Sequence, residues 1–225
     1  MVKIGKTIIT PTKILCLGRN YLDHIKETNA PIPTEPVFFV KTLNTLVTDN
    51  KPIIYPKILY ESEKYNRVDH EVELAFVILQ TCKNVSVELA YDYVKGYTVF
   101  LDLTARVMQK RDREINLPWY RSKNFDTFGP IGPEIVPQSE ISDPHNLTIK
   151  LKVNGETRQF SNTKHMLFKI PQILEYLSKF VTLEEGDIVA TGTPSGISPI
   201  QPRDVLEASI EKIGTIRHEV ILEED

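Results

Sequence analysis

The sequence is poor in the features that mark several protein classes. Its 225 residues include two cysteines, Cys16 and Cys82, both set among apolar neighbours and at no zinc-like spacing, so they read as buried, reduced thiols. Neither sign of charge dominates: 27 basic and 30 acidic residues leave a formal net charge of −3. That balance provides no electrostatic footprint for a polyanion and argues against a nucleic-acid partner. The apolar runs, such as Leu74 to Leu79, fall far short of the roughly 18 to 20 residues a membrane span needs. The opening Met1 to Lys6, followed by a short apolar run from Thr7 to Thr10, lacks a secretory pattern, so the expected location is cytoplasmic, with no membrane partner. The 15 prolines are scattered, and no Gly/Ser linker, low-complexity tract or repeat divides the chain, which predicts one continuous domain over 1–225. A nucleotide-binding glycine loop is missing too. Gly192-Thr193-Pro194-Ser195-Gly196 has neither the P-loop lysine nor the dinucleotide spacing, which sets aside kinase and dehydrogenase chemistry.

What remains is an ordinary globular composition, 41% hydrophobic and 25% charged. Runs rich in β-branched and aromatic residues predict strands at Lys13–Leu17, Val37–Val40, Glu71–Leu79, Gly96–Asp102, Leu147–Val153, Asp187–Ala190, Val205–Ile210 and Gly214–Val220. Asn154-Gly155 separates Lys150–Val153 from Glu156–Arg158 as a tight hairpin requires. Helical signals are fewer. Ser86 is placed to cap Val87–Val94, Thr104 to open a segment reaching about Glu114, and Pro171 to start a helix in which Ile173, Leu174, Leu177 and Phe180 recur at helical spacing. Phe128-Gly129-Pro130-Ile131-Gly132-Pro133 is expected to be a loop, because prolines remove donors and glycines favour unusual backbone angles. The pattern is a mixed, β-dominated α+β domain.

The most informative stretch is Asp69-His70-Glu71-Val72-Glu73-Leu74-Ala75-Phe76-Val77-Ile78-Leu79. A period of two puts Glu71, Glu73, Ala75, Val77 and Leu79 on one face, and Val72, Leu74, Phe76 and Ile78 on the other. Both faces turn apolar downstream, so this is a covered strand carrying two like charges on one side. Buried without partners, the two carboxylates would repel and lose hydration at a cost of several kcal/mol, so a cation should lie between them. The plainer alternative is a strand that begins at the surface, with both glutamates solvated or paired to Lys or Arg. A third acid, Asp102, ends the apolar run Thr98–Leu101 just before Thr104; it is either a further ligand or a residue at the start of a helix. Three carboxylates from two strands, with no His or Cys cluster, suit a hard octahedral cation such as Mg2+ or Mn2+.

The ordered set His70-Glu71-Val72-Glu73-Leu74-Ala75, Gly96-Tyr97-Thr98, Asp102-Leu103-Thr104-Ala105-Arg106 with Gln109, Ser122-Lys123-Asn124-Phe125-Asp126-Thr127 and Thr191-Gly192-Thr193-Pro194-Ser195-Gly196 resembles the fumarylacetoacetate hydrolase family. The early Gly18-Arg19-Asn20-Tyr21-x-x-His24 and the hairpin Val153-Asn154-Gly155-Glu156-x-Arg158-Gln159 fit as well. The likeness runs from about Lys13 to Val220, and within the family Leu101-Asp102-Leu103-Thr104-Ala105-Arg106 and Leu117-Pro118-Trp119 most resemble the short acylpyruvase and oxaloacetate decarboxylase or tautomerase branch.

The resemblance implies a β-roll-like domain with a few peripheral helices, usually homodimeric, that binds Mg2+ or Mn2+ through Glu71, Glu73 and Asp102. A small 2-oxo acid would be the substrate, and a divalent cation beside it would stabilise an enolate during C–C hydrolysis, decarboxylation or tautomerisation. Lys123 matches the family lysine beside the metal. Arg106 and Gln109, three apart on one helical face, match substrate contacts, as does Thr193 with its hydroxyl and N–H in a glycine-flanked turn. His24 and Glu27 match a lid dyad able to activate water. Leu101 and Val107 depart from the usual pattern, and so does the long, charged segment Leu59–Val68, a possible flap or subunit contact. The same motifs would also serve an isomerase or decarboxylase of dienoic diacids, and a metal-binding protein without turnover would need neither Lys123 nor the His24–Glu27 pair.

Overall fold

The computed structural model describes residues 1–48 and 51–224. Among these residues strands dominate, in sheets of seven, five, three and two strands, with five short α-helices around them. The seven-stranded sheet runs in the order Val37–Lys41, Ile14–Gly18, Ile188–Ala190, Val72–Ile78, Val94–Leu101, Gly129–Pro137, Leu46–Val47. The five-stranded sheet runs Glu156–Asn162, Thr148–Val153, Val205–Ile210, Gly214–Leu222, Ile53–Tyr55. The helices are α1 (Leu22–Glu27), α2 (Lys57–Tyr60), α3 (Arg106–Glu114), α4 (Tyr120–Lys123) and α5 (Ile170–Phe180). None is long and apolar enough to cross a membrane.

Val72–Ile78 is the central strand of the larger sheet, and its two faces enter different cores. Val72, Leu74, Phe76 and Ile78 belong to the main core with α5 and the five-stranded sheet. Ala75 and Val77 pack with Cys16, Phe100, Ile131, Ile188 and Ala190 in a second one. Every residue of the strand is buried. This is what an apolar run on both faces demands, because a strand covered on two sides has no solvated face to leave polar.

The hairpin forms as expected, with Val153 opposite Glu156 and both turn residues at positive φ, 52° at Asn154 and 81° at Gly155. Helix α5 begins one residue before Pro171. Three expectations change. Phe128–Pro133 is largely strand: Gly129–Pro137 pairs with Val94–Leu101, and the register shifts between Gly132 and Val136. Pro133 falls within that interruption, so its missing N–H breaks no rung of the ladder. Val87–Tyr93 is a 3-10 segment without a side-chain cap from Ser86, and Val94 is recruited to the long strand. Thr104 and Ala105 form a short bridge to Val68 and Asp69, which delays α3 until Arg106.

Candidate metal centre

The site is assembled where neighbouring strands end. Val72 pairs with Leu101 and Glu73 with Phe100, so the next rung outward sets Asp102 beside Glu71, joined by Asp102 N–H donating to Glu71 O at 2.9 Å. Glu71 lies between two consecutive strand segments: Val68–His70 in the three-stranded sheet and Val72–Ile78 in the larger one. Glu73 is two residues further along on the same face. The three carboxylates are buried, and one oxygen from each lies within 4.8 Å of the others.

Their charge is met from several directions. Lys123, at the end of α4 and 2% exposed, places Nζ 3.1 Å from Glu71 Oε2 and in a short contact with Asp102 Oδ2. The same ammonium lies 4.8 Å from the centre of the Phe39 ring, a cation–π arrangement. Arg106 Nη2 contacts Glu71 Oε1 closely, while its Nε donates to Asp69 Oδ2 at 2.8 Å and its Nη1 to Gln109 Oε1 at 2.7 Å. Arg106 is thus both oriented and ion-paired. Glu73 accepts from the Gly192 N–H at 2.8 Å.

Burial pushes both glutamates up, with different outcomes. For Glu71 the charges of Lys123 and Arg106 outweigh burial and hold the carboxyl well below the usual range. For Glu73 burial is joined by the charges of Asp102 and Glu71, and the carboxyl stands well above it. The two neighbouring carboxyls are thus driven in opposite directions, Glu71 by its cationic partners and Glu73 by burial and its anionic neighbours. The donor set fits such a cation: three buried carboxylates, hard oxygen ligands, with no His or Cys among the clustered groups. The Cys16 thiol nearby is held well above its usual value, first by burial and then by Asp102 and Glu73, and is inert.

A cavity of about 50 Å³ opens onto this cluster. Glu71, Glu73, Arg106, Gln109, Lys123, Thr193 and His24 all line it. Asp102 sits behind Lys123, and Glu27 behind His24, whose Nδ1 is 3.2 Å from Glu27 Oε2. The helix bearing this pair is latched: Ser195 Oγ donates to Asp23 Oδ2 at 2.8 Å and Gly196 N–H to Glu27 Oε1 at 3.0 Å. The Thr193 hydroxyl donates to Val72 O at 2.9 Å and accepts from Gln159 Nε2 at 2.8 Å, so its proton is committed to the backbone.

Several contributors carry weak signals in the sequence. Gln159, fully buried, satisfies its whole amide: Oε1 accepts from Val72 N–H at 3.1 Å and faces His70 Nδ1 at 3.0 Å, and Nε2 donates to Thr193 Oγ1 and to Pro194 O at 2.9 Å. It ties the hairpin to the carboxylate strand. Arg19, at a left-handed φ of 60°, and Arg113 also line the cavity; burial and then the Arg113 charge lower the Arg19 guanidinium. Lys41 is fully buried and touches Asp102. As a lysine closing a short apolar strand it reads in sequence as an ordinary surface residue.

A family profile described as "Fumarylacetoacetate (FAA) hydrolase C-terminal" matches residues 13–221. The chain is 42% identical over 208 residues to the mitochondrial oxaloacetate tautomerase FAHD1 of Bos taurus, covering 92% of this chain and 90% of the bovine protein. Among solved structures it is similar to a fumarylpyruvate hydrolase from Pseudomonas aeruginosa in complex with Mn2+ and pyruvate, with a TM-score of 0.88 at 30% identity over 97% of this chain and 93% of that one. It also resembles a 2-hydroxyhepta-2,4-diene-1,7-dioate isomerase from Mycobacterium marinum, with a TM-score of 0.83 at 36% identity over 96% and 77% of the two chains.

Proposed function

The chain belongs to the fumarylacetoacetate hydrolase family and is an enzyme of it, and from that premise we propose a divalent-cation-dependent enzyme acting on small 2-oxo acids. Its reactions would be C–C hydrolysis of acylpyruvates and decarboxylation or tautomerisation of oxaloacetate. The observation that carries this reading is the convergence of Glu71, Glu73 and Asp102 within 4.8 Å, with Glu71 and Glu73 lining a cavity that is also lined by Lys123, Arg106 and His24.

Glu71, Glu73 and Asp102 would hold Mg2+ or Mn2+. When bound, such a cation supplies Lewis-acid stabilisation of the negative charge that develops on the 2-oxo oxygen of the substrate. Lys123 adds a second positive charge at that place, and its own proton is held firmly: burial works against the ammonium, but Asp102 and Glu71 outweigh it and raise it above the ordinary lysine value. Within hydrogen-bond reach of Glu71 and Asp102, it would stabilise the enolate by charge or move a proton. Arg106, fixed by Asp69 and Gln109, and the Thr193 N–H would orient the substrate carboxylate. Arg19 and Arg113, which also line the cavity, add positive charge to it.

In hydrolysis, His24 takes a proton from water through Nε2, its Nδ1 being engaged by Glu27. The hydroxide adds to the distal carbonyl. The bond between that carbonyl carbon and the methylene would then break, giving a carboxylic acid and the enolate of pyruvate, to whose carbon His24 would return the proton it took from water. Decarboxylation and tautomerisation need no added water and would depend on His24 less.

We also place a homodimer contact at the edge of the seven-stranded sheet. There, among the described residues, Val37–Lys41 pairs with a strand on one side only, and an apolar groove of about 410 Å³ is lined by Val37 to Val40 and Leu117 to Tyr120.

The test is a turnover assay with Mg2+ or Mn2+ on acylpyruvates, oxaloacetate and dienoic diacids in parallel. Cation-dependent turnover of an acylpyruvate or oxaloacetate is the expected result. Turnover confined to dienoic diacids would move the chain to the isomerase side of the family, and binding of Mn2+ with no turnover at all would leave a metal-binding protein.

A further inference from the structure

A lysine at a strand end is ordinarily solvated, yet Lys41 is fully buried. Its Nζ lies 2.8 Å from Asp102 Oδ1, 2.5 Å from the backbone O of Lys123 and 3.3 Å from that of Leu103. An ammonium has three N–H groups, and these three acceptors use them all. Lys41 does not line the cavity, and it has no donor left for a substrate. Stability is a poor account of it as well. Taking an ammonium out of water is costly, and replacing a buried ion pair by packed apolar groups is often neutral or stabilising.

What an apolar side chain could not do is join two functional groups. By holding Oδ1 of Asp102, Lys41 leaves Oδ2 turned toward Lys123. By holding the carbonyl of Lys123, it fixes the point from which that side chain reaches into the carboxylate cluster. The adjacent Thr42 N–H donates to Asn124 Oδ1 at 2.6 Å, so the joint between the edge strand and the end of α4 is two residues wide on each side. Rigid support of this sort is what keeps ligand and charge within the small tolerances that metal binding and catalysis require.

We propose that Lys41 is a positioning residue of the metal centre, one that sets the orientation of Asp102 for the cation and the reach of Lys123 toward the substrate. The inference rests on the metal reading of Glu71, Glu73 and Asp102.

It is tested by calorimetric titration of Mn2+ into metal-stripped, full-length wild type, Lys41→Met and Lys41→Arg, with melting temperatures and kcat at saturating Mn2+ from the same preparations. Lys41→Met should weaken Kd by about 10- to 100-fold at unchanged stoichiometry and lower kcat by a similar factor. Lys41→Arg, which keeps the charge and the donors, should recover part of both. A Kd within twofold of wild type in Lys41→Met overturns the proposal whatever the melting temperature. So does a reduced stoichiometry at unchanged Kd, the mark of a partly unfolded sample. A weaker Kd with unchanged kcat strikes out the Lys123 arm. If Lys41→Met does not fold, Lys41→Gln, which keeps two N–H donors but not the charge, is judged by the same criteria. Wild type that takes up no Mn2+ overturns the metal reading, and this inference with it, whereas wild type that binds and a variant that binds equally overturn this inference alone.

Discussion

Asp102 is held by two lysines on its two oxygens, Lys41 on Oδ1 and Lys123 on Oδ2, and removing them should affect metal uptake in opposite ways. Lys123→Ala deletes a cation that bridges Glu71 and Asp102. Mn2+ should therefore bind no more weakly than in wild type, while turnover falls by about 10²-fold or more through loss of charge stabilisation. Titration and assay of one preparation check both halves, and an unchanged rate would remove Lys123 from the chemistry. His24 permits a sharper separation, because only hydrolysis needs an activated water. His24→Ala should reduce acylpyruvate hydrolysis by about 10²- to 10⁴-fold and oxaloacetate decarboxylation much less. Equal losses in both would mean that α1 merely closes the site.

At this scale the acids were legible in the sequence. A period of two put Glu71 and Glu73 on one face of one strand, leaving open a cation between them or pairing with Lys or Arg, and the structure shows that they are buried, with Lys123 and Arg106 on Glu71. Lys41 was not legible, since no local pattern separates a lysine that turns inward from one that turns out. Gln159 sits 87 and 34 residues away from the groups it joins, Val72 and Thr193, and nothing local in the hairpin reports on either partner.

Among the elements, α5 depends on a group outside it. The Ile170 N–H at its first turn donates to His145 Nε2 at 3.0 Å, an acceptor only while the ring is neutral. Burial, and then the charge of Lys169, lower the His145 pKa to about 4 against the partial opposition of Asp143. An unfolded histidine takes its proton near pH 6.5, roughly. As the pH falls below that value the unfolded chain is protonated first, so stability declines until about pH 4, where the folded form is protonated too and the loss levels off. Urea midpoints at pH 7.5 and pH 5 should therefore fall further in wild type than in His145→Ala; parallel declines would assign the pH dependence elsewhere.

The hairpin is a simpler case. A Cβ on Gly155 would meet no atom within 4 Å, but the residue sits at φ 81°, so Gly155→Ala should cost about 1 kcal/mol from backbone strain alone, readable as a shift in urea midpoint. The hairpin was readable in advance because turn chemistry is local. The strand Gly129–Pro137 was not, because its three prolines and two glycines forbid regular structure only if every position must donate to a neighbour. The partner strand's shifted register relieves Pro133 of that duty.

For the whole molecule, three acids gathered in a buried cluster are stable only when compensated, so the cation should stabilise the fold. A ligand at 100 times its Kd contributes about 2.7 kcal/mol, which for a chain of this length is a rise of about 5 to 10 °C in melting temperature. Scanning calorimetry with Mn2+ and with chelator checks this, and no difference would mean that the cluster does not bind the ion. The proposed dimer is read from light scattering after gel filtration, where Val40→Glu, on the exposed edge strand, should shift wild-type dimer toward monomer.

The sequence by itself determined which side chains had to be explained: a β-dominated chain, an apolar strand carrying Glu71 and Glu73, an acid at the end of a second strand, and an ordered set of motifs shared with one family. These are properties of short windows, set by side-chain period and turn chemistry, and they survive without knowledge of what lies across the sheet. Only the tertiary structure decided that Asp102 stands beside Glu71, that Lys123 and not a surface charge meets them, and that Lys41 and Gln159 brace the centre from two different sheets. Those outcomes rest on strand register and on which ends of which strands meet. Both follow from packing of the whole chain, where buried charges must find partners far off in sequence.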